Sequence, residues 1–375
     1  MTTVEIPKSI LPSDGRFGSG PSKVRLEAVD ALVAAAPHLL GTSHRRPAVK
    51  DVVANVRAGL VEMFQPPEGY EIVIGNGGSS AFWDIAIFCL IEKRSQHLCF
   101  GEFSERFFDY VARAPHLAEP RAIASELGTH PEPVADTAID TYSLTHNETS
   151  TAVAAPVVRP RGTNGSAADG LVLVDATSAA GGMRVDLSES DAYYFAPQKC
   201  FGSDGGLFVA IVSPQAIDRA QRLKSAGRWA PAFLDFVTAL ENSRLSQTTN
   251  TPALATLFLL SNQIDWINAN GGLEWSAARC ERSSSILYEW AEKSSFATPF
   301  VSVPDERSPV VATIDFDDGV DANEIAAVLR ENGIVDTESY RKLGRNQLRI
   351  ATFPSIEPSD VEALTACIDW IVERL

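Results

Sequence analysis

The stretch YYFAPQKCFGSDGG, residues 193–206, sets Lys199 among aromatic and small residues, an unusual setting for a lysine. Low-dielectric surroundings disfavour the ammonium form, lower the pKa and free the amine as a nucleophile. Such an amine condenses with a carbonyl to a Schiff base. An isolated lysine at a strand end ordinarily keeps its amine in water, so the neighbours carry the argument. Gly202, Gly205 and Gly206 allow tight turns and close backbone approach here. Upstream, LVLVDATSAAGG (171–182) ends a four-residue apolar run at Asp175. The end of a buried strand is where open α/β sheets place their ligands. A lysine and a carboxylate together meet two demands of pyridoxal phosphate: a Schiff-base partner, and an anion that keeps the ring nitrogen protonated so the ring accepts carbanion electrons.

The remaining demands of that cofactor have candidates as well. Its phosphate wants backbone N–H groups at a helix N-terminus. Gly77, Gly78, Ser79 and Ser80 lie between a β-prone run and an apolar helix-prone run. Phe103, in CFGEFSERF (99–107), is a candidate to stack on the ring, and Thr149, in THNETST (145–151), to hydrogen-bond its phenolic oxygen. Asn147 and Glu148 beside Thr149 read as loop-shaping residues.

These side chains need a frame. YEIVI (70–74), the glycine-rich turn and AFWDIAIFCLIEK form a strand–turn–helix unit, the α/β signature. The continuous apolar run in GGLFVAIVS (205–213) predicts a strand buried on both faces of a mostly parallel sheet. TPALATLFLLSNQIDWI (251–267) reads as a long helix with Pro252 in its first turn. VVATIDFDD, ANEIAAVLRENGI, QLRIATF and a closing helix then alternate as strand, helix, strand, helix. We therefore expect an N-terminal arm (1–15), a large cofactor-binding domain (16–262) and a smaller C-terminal α/β domain (263–375).

Composition narrows the function. The chain has 375 residues, 45% of them hydrophobic, enough for a substantial core. A formal net charge of −16 argues against nucleic-acid or anionic-membrane partners and makes local clusters of cations informative. No stretch approaches a membrane span, and the N-terminus lacks the pattern of a secretory signal. The five cysteines make no C-x-x-C pair, so no metal site is expected and a reducing cytoplasm is.

Taken in order, FGSGPSK (17–23), SHRRP (43–47), the GGSS turn, HNET (146–149), VDATSAAGG (174–182), APQKCFG (196–202), NTP (250–252) and SYRKLGRNQLRIATFP (339–354) resemble the phosphoserine aminotransferases, class V members of the fold-type I enzymes. The resemblance covers nearly the whole chain. It implies one pyridoxal 5'-phosphate per subunit, joined to Lys199, with Gln198, Gly78, Ser79 and Ser80 at its phosphate. It further implies Asp175 at the pyridine nitrogen, Phe103 on the ring and Thr149 at the phenolic oxygen. Asn250 and Thr251 would reach the cofactor phosphate of a neighbouring subunit, which implies a homodimer with shared active sites.

The implied reaction exchanges the amino group of L-glutamate with 3-phosphohydroxypyruvate, giving 2-oxoglutarate and O-phosphoserine in serine biosynthesis. Some relatives also serve pyridoxine synthesis. Both substrates are multiply anionic, and arginine grips such groups through paired hydrogen bonds. Arg349 is assigned to the shared α-carboxylate. Arg45, with His44 and Arg341, is assigned to the phosphate or the glutamate side chain. Two positions depart from the family pattern: Ser79 replaces a turn arginine and Tyr340 a histidine, with Arg46 and Arg345 as candidate replacements for the lost cation. Competing readings are an alanine–glyoxylate type aminotransferase, a cysteine desulfurase, and a non-catalytic protein that kept the fold.

Overall fold

The computed structural model describes residues 4–162 and 165–375. The first three residues of the expected N-terminal arm lie outside the described residues. A seven-stranded sheet forms the larger part of the molecule. Across the sheet the strands run Glu71–Asn76, Leu207–Val212, Ala192–Phe195, Leu171–Asp175, Thr141–Thr145, Ser95–Cys99 and Arg121–Ala124. Every pairing is parallel except the two made by Leu207–Val212, which runs antiparallel to both neighbours. The expected strand at 205–213 is thus present and fully buried, yet it is the reversed one. A continuous apolar run reports burial on both faces and carries no information about direction.

Alternation across the sheet divides the interior in two. Val172, Val174, Tyr193 and Phe195 point to one side, where the helices Pro47–Phe64 and Leu254–Ala269 pack. Leu171, Leu173 and Tyr194 point to the other, against the helices Ser79–Cys89 and Pro214–Ser225. Helices on both faces explain why these strands read as unbroken apolar runs. The helix Leu254–Ala269 starts three residues later than the run from 251 suggests, with Pro252 ahead of its N-cap, Ala253, in extended backbone. The carbonyl of Thr251 is meanwhile taken by the Asn76 amide at 3.1 Å.

The C-terminal part carries a second sheet of three antiparallel strands, Ala297–Pro299, Val311–Phe316 and Gln347–Ala351. The helices Gly272–Lys293 and Ala322–Glu331 pack with it, and Pro358–Val372 packs on both of these helices. Position 263 lies inside the unbroken helix Leu254–Ala269. The arm reaches the helices beside this sheet: Ile6 N–H donates to Asn332 Oδ1 at 2.9 Å and Ser13 N–H to Asp360 Oδ1 at 2.7 Å. The chain then crosses to the large sheet, where Ser22 N–H donates to the Gln198 carbonyl at 2.8 Å, beside the lysine.

Candidate active site

The functional candidates sit where parallel strands end. Asp175 closes Leu171–Asp175, Thr149 follows Thr141–Thr145, and the helix bearing Phe103 follows Ser95–Cys99. Lys199 follows Ala192–Phe195, and the GGSS turn follows Glu71–Asn76. The carboxyl edge of the sheet therefore gathers residues distant in sequence into one crevice. Gly78, Ser79, Ser80, Phe103, Thr149, Asp175, Gln198 and Lys199 together line a cavity of about 400 Å³.

Lys199 is buried, and its amine donates to the carbonyl of Ser19. Burial, with a further push from the Arg349 guanidinium, brings its pKa down to about 7, so the neutral amine is populated near neutral pH. Gly20 passes so close that a Cβ there would lie 2.3 Å from Nζ. Asp175 accepts from the Trp83 indole N–H at 3.0 Å on one oxygen and from Thr177 N–H at 2.9 Å on the other. Burial raises its pKa while these donors and Lys199 pull it back. A buried carboxylate held by neutral donors gains most from a cationic N–H placed against it.

The glycine-rich turn opens the helix Ser79–Cys89. Gly78 is the N-cap with φ 91°, a left-handed conformation glycine adopts readily, and no side chain caps this end. The N–H groups of Ser79 and Ser80 can thereby serve an anion, while that of Ala81 donates to the Gly78 carbonyl at 3.0 Å. The Ser79 hydroxyl meets Thr177 Oγ1 at 2.6 Å, which ties the turn to the Asp175 loop. On the opposite wall Thr149 and Asn147 both donate to Ser178 Oγ at 2.8 Å. Cys200 Sγ donates to the Ser178 carbonyl at 3.2 Å, which gives the cysteine beside the lysine a bonding role as well as packing.

The expected cations are placed unevenly. Arg349 leaves the second sheet with Nη1 donating to the Thr149 carbonyl at 3.3 Å, and its buried Nε has no partner. Arg341 lies in an exposed turn, Arg341–Leu343. Arg345 is held by Asp315 of the second sheet and is not among the residues lining the cavity. His44, Arg45, Asn250 and Thr251 gather outside the cavity: Thr251 Oγ1 meets His44 Nδ1 at 3.0 Å, and Arg45 Nη1 donates to Gln247 at 3.3 Å. Arg46 is exposed at the N-cap of the helix Pro47–Phe64.

A family model described as aminotransferase class-V matches residues 133–337. The phosphoserine aminotransferase of Nocardioides sp. is 59% identical over 372 residues, 99% of each chain. That of Rhodococcus jostii is 54% identical over 374 residues, all of this chain and 99% of the other. The chain belongs to the phosphoserine aminotransferase family, within class V. Its fold is that of a solved phosphoserine aminotransferase from Cytophaga hutchinsonii, with a TM-score of 0.87 at 23% identity over 95% of this chain and 99% of the other.

The residues present suit the pyridoxal phosphate of this aminotransferase. Besides the free turn N–H groups, Gln198 Oε1 and Asn147 Oδ1 are buried side-chain atoms at the cavity without hydrogen-bond partners. A cavity with a near-neutral lysine, a buried carboxylate and unsatisfied polar groups accepts a phosphorylated, cationic aromatic ring. Four further contributors escaped sequence reasoning. Trp83 fixes Asp175, and its signal was an indole inside the helix after the turn, since a buried indole needs an acceptor. Thr177 caps the same carboxylate, legible as Asp-x-Thr at a strand end. Arg106 lines the cavity one turn after Phe103. Glu148 is fully buried and accepts from Phe103 N–H at 3.1 Å and Ser104 N–H at 3.0 Å.

Proposed function

We propose that this aminotransferase moves the amino group of L-glutamate onto 3-phosphohydroxypyruvate, reversibly, yielding 2-oxoglutarate and O-phospho-L-serine. The observation that carries the reading is the buried Lys199 amine, near-neutral in pKa, in one cavity with Asp175. Pyridoxal phosphate, when bound, supplies an electrophilic carbon for the substrate amine and a ring that takes up the electrons left at the substrate Cα. Lys199 would hold the cofactor by a Schiff base, one per subunit, and once displaced its neutral Nζ takes the proton from Cα. In the second half of the exchange the same Nζ would deliver a proton to the keto-acid carbon that receives the amino group. Asp175 keeps the ring nitrogen protonated, with its own orientation set by Trp83 and Thr177. Gly78, Ser79, Ser80 and Gln198 hold the phosphate, Phe103 covers one ring face, and Thr149 bonds the phenolic oxygen.

Arg349 takes the substrate α-carboxylate: its Nε is buried without a partner, a donor in need of an acceptor. His44 and Arg45, with Asn250 and Thr251, serve the cavity of a second copy in a homodimer. Five free, buried cysteines suit the reducing cytoplasm as the working compartment. Among the described residues no helix is long and apolar enough to cross a membrane.

The test follows the cofactor absorbance of the purified protein. Glutamate should shift it, and 3-phosphohydroxypyruvate should restore it, with parallel lines in double-reciprocal plots. Restoration by glyoxylate and not by the phosphorylated keto acid would overturn the assignment.

A further inference from the structure

Lys199 and Arg106 are the basic residues lining the cavity among the described residues. Lys199 is committed to the cofactor and to proton transfer. The glycine-rich turn offers hydroxyls in place of a cation, and the Ser79 hydroxyl is already engaged with Thr177. A phosphate ester carries roughly −1.5 to −2 near pH 7, more than one carboxylate. Within the cavity of one chain Arg106 is thus the remaining cation that can answer the additional charge, beside the His44 and Arg45 that a second copy would bring.

We propose that Arg106 determines specificity in this reaction by receiving the phosphate of O-phosphoserine and of the phosphorylated keto acid. The proposal rests on the function proposed above and names a residue for it. Phe103 and Arg106 are three apart on the helix Glu102–Ala112, hence neighbours on one face. The guanidinium carbon lies 5.6 Å from the centre of the Phe103 ring, and Lys199 Nζ lies 6.0 Å from the same centre. Arg106 and the reacting amine therefore stand against the same ring and line the same cavity.

Its present partner is arranged to release it. Arg106 Nη2 donates to Glu102 Oε1, and Lys342 Nζ, from the arginine-rich segment, donates to the same oxygen at 2.5 Å. One carboxylate oxygen serves two cations, so Glu102 keeps Lys342 when Arg106 turns to a phosphate. No carboxylate is left unpaired in the exchange. The Arg106 side chain is 37% exposed and has room to turn. Its planar fork then binds two phosphate oxygens at once, and the larger charge of the phosphate strengthens that pair beyond the one a single carboxylate makes.

The experiment measures single turnovers of the cofactor-loaded protein by absorbance, with O-phosphoserine and with glutamate separately. In Arg106→Gln the ratio of kcat/KM for O-phosphoserine over glutamate should fall roughly 10- to 100-fold, the range for a lost hydrogen bond to a charged group. Arg106→Lys should fall between that variant and the parent. A ratio that stays constant, whether both substrates lose equally or neither does, overturns the assignment, because a merely structural ion pair affects both alike. If Arg106→Gln fails to retain cofactor, Glu102→Gln replaces it. Removing the counterion should raise the ratio, and an unchanged or lowered ratio overturns the proposal. If the parent protein itself fails to process O-phosphoserine, the proposed function falls and the Arg106 assignment with it. A parent active on O-phosphoserine whose Arg106→Gln ratio is unaltered overturns the Arg106 assignment alone.

Discussion

At the scale of single residues the site is governed by how Lys199 is kept from water. Burial and the neighbouring Arg349 lower its pKa from the ordinary 10.5 to about 7, with Cys200, Asp175 and Glu148 acting weakly in the opposite sense. The folded state therefore gives up this proton before the unfolded one does. The cost of holding an ammonium in the pocket is fully present below pH 7 and is relieved as pH rises from about 7 towards 10.5. Reactivity has the same origin: cofactor-free protein should combine with pyridoxal phosphate at a rate that rises with pH and levels off above about 7. A rate that climbs steadily to pH 10 would mean a solvated amine and would sink the argument. Gly20 provides a second check. Its φ of +146° disfavours a side chain, and an added Cβ would meet Lys199 Nζ at 2.3 Å. Gly20→Ala should cost about 1–3 kcal/mol of stability through backbone strain and cut transamination at least roughly 10-fold in the protein that remains folded, since a displacement of about 1 Å in a reacting group costs up to 100-fold. Full activity would show that the lysine has another resting position.

At the scale of elements, the strand ends determine which residues meet, and this was largely legible in the sequence. Asp175, Lys199 and the GGSS turn each follow a dense apolar run, and such runs identify buried strands whose ends carry ligands. What stayed hidden depended on long-range pairing. Trp83 reaches Asp175 across 92 residues and Lys342 reaches Glu102 across 240, and no local pattern encodes either contact. Direction was hidden too, since the fully buried strand Leu207–Val212 reads the same whichever way it runs. Glu148 does more than the loop-shaping read from the sequence. Its carboxylate holds the start of the helix Glu102–Ala112 through Phe103 and Ser104, and holds Ser150 through N–H at 3.1 Å. It thus fixes both Phe103 and the Thr149 loop across the cavity. Gly101 leaves it room, for a Cβ there would lie 2.4 Å from Glu148 Cγ. Glu148→Gln removes the charge that faces these donors and should cost about 1–3 kcal/mol of stability. Cofactor affinity should fall with it, as measured by titrating cofactor-free protein. Loss of stability with affinity intact would show that Glu148 holds the helix without positioning the site.

At the scale of the whole molecule, a chain of net charge −16 must concentrate cations where its anionic substrates bind, yet His44 and Arg45 lie outside the cavity of their own chain. They follow the helix Leu26–Leu39, on which Leu26, Val29 and Val33 are exposed, an apolar surface suited to a second copy. If the copies exchange these residues, each site combines the Lys199 of one subunit with the Arg45 of the other. Lys199→Ala and Arg45→Ala homodimers should then both be crippled, the first in chemistry and the second in substrate binding. Co-expression of the two variants creates hybrids in which the subunit keeping Lys199 receives an intact Arg45 from its partner. Random assembly makes half of the dimers hybrid, each with one repaired site in two, so activity should recover to about one quarter of the parent. Were Arg45 to serve its own chain, every hybrid site would lack either the lysine or the arginine, and mixing would restore nothing.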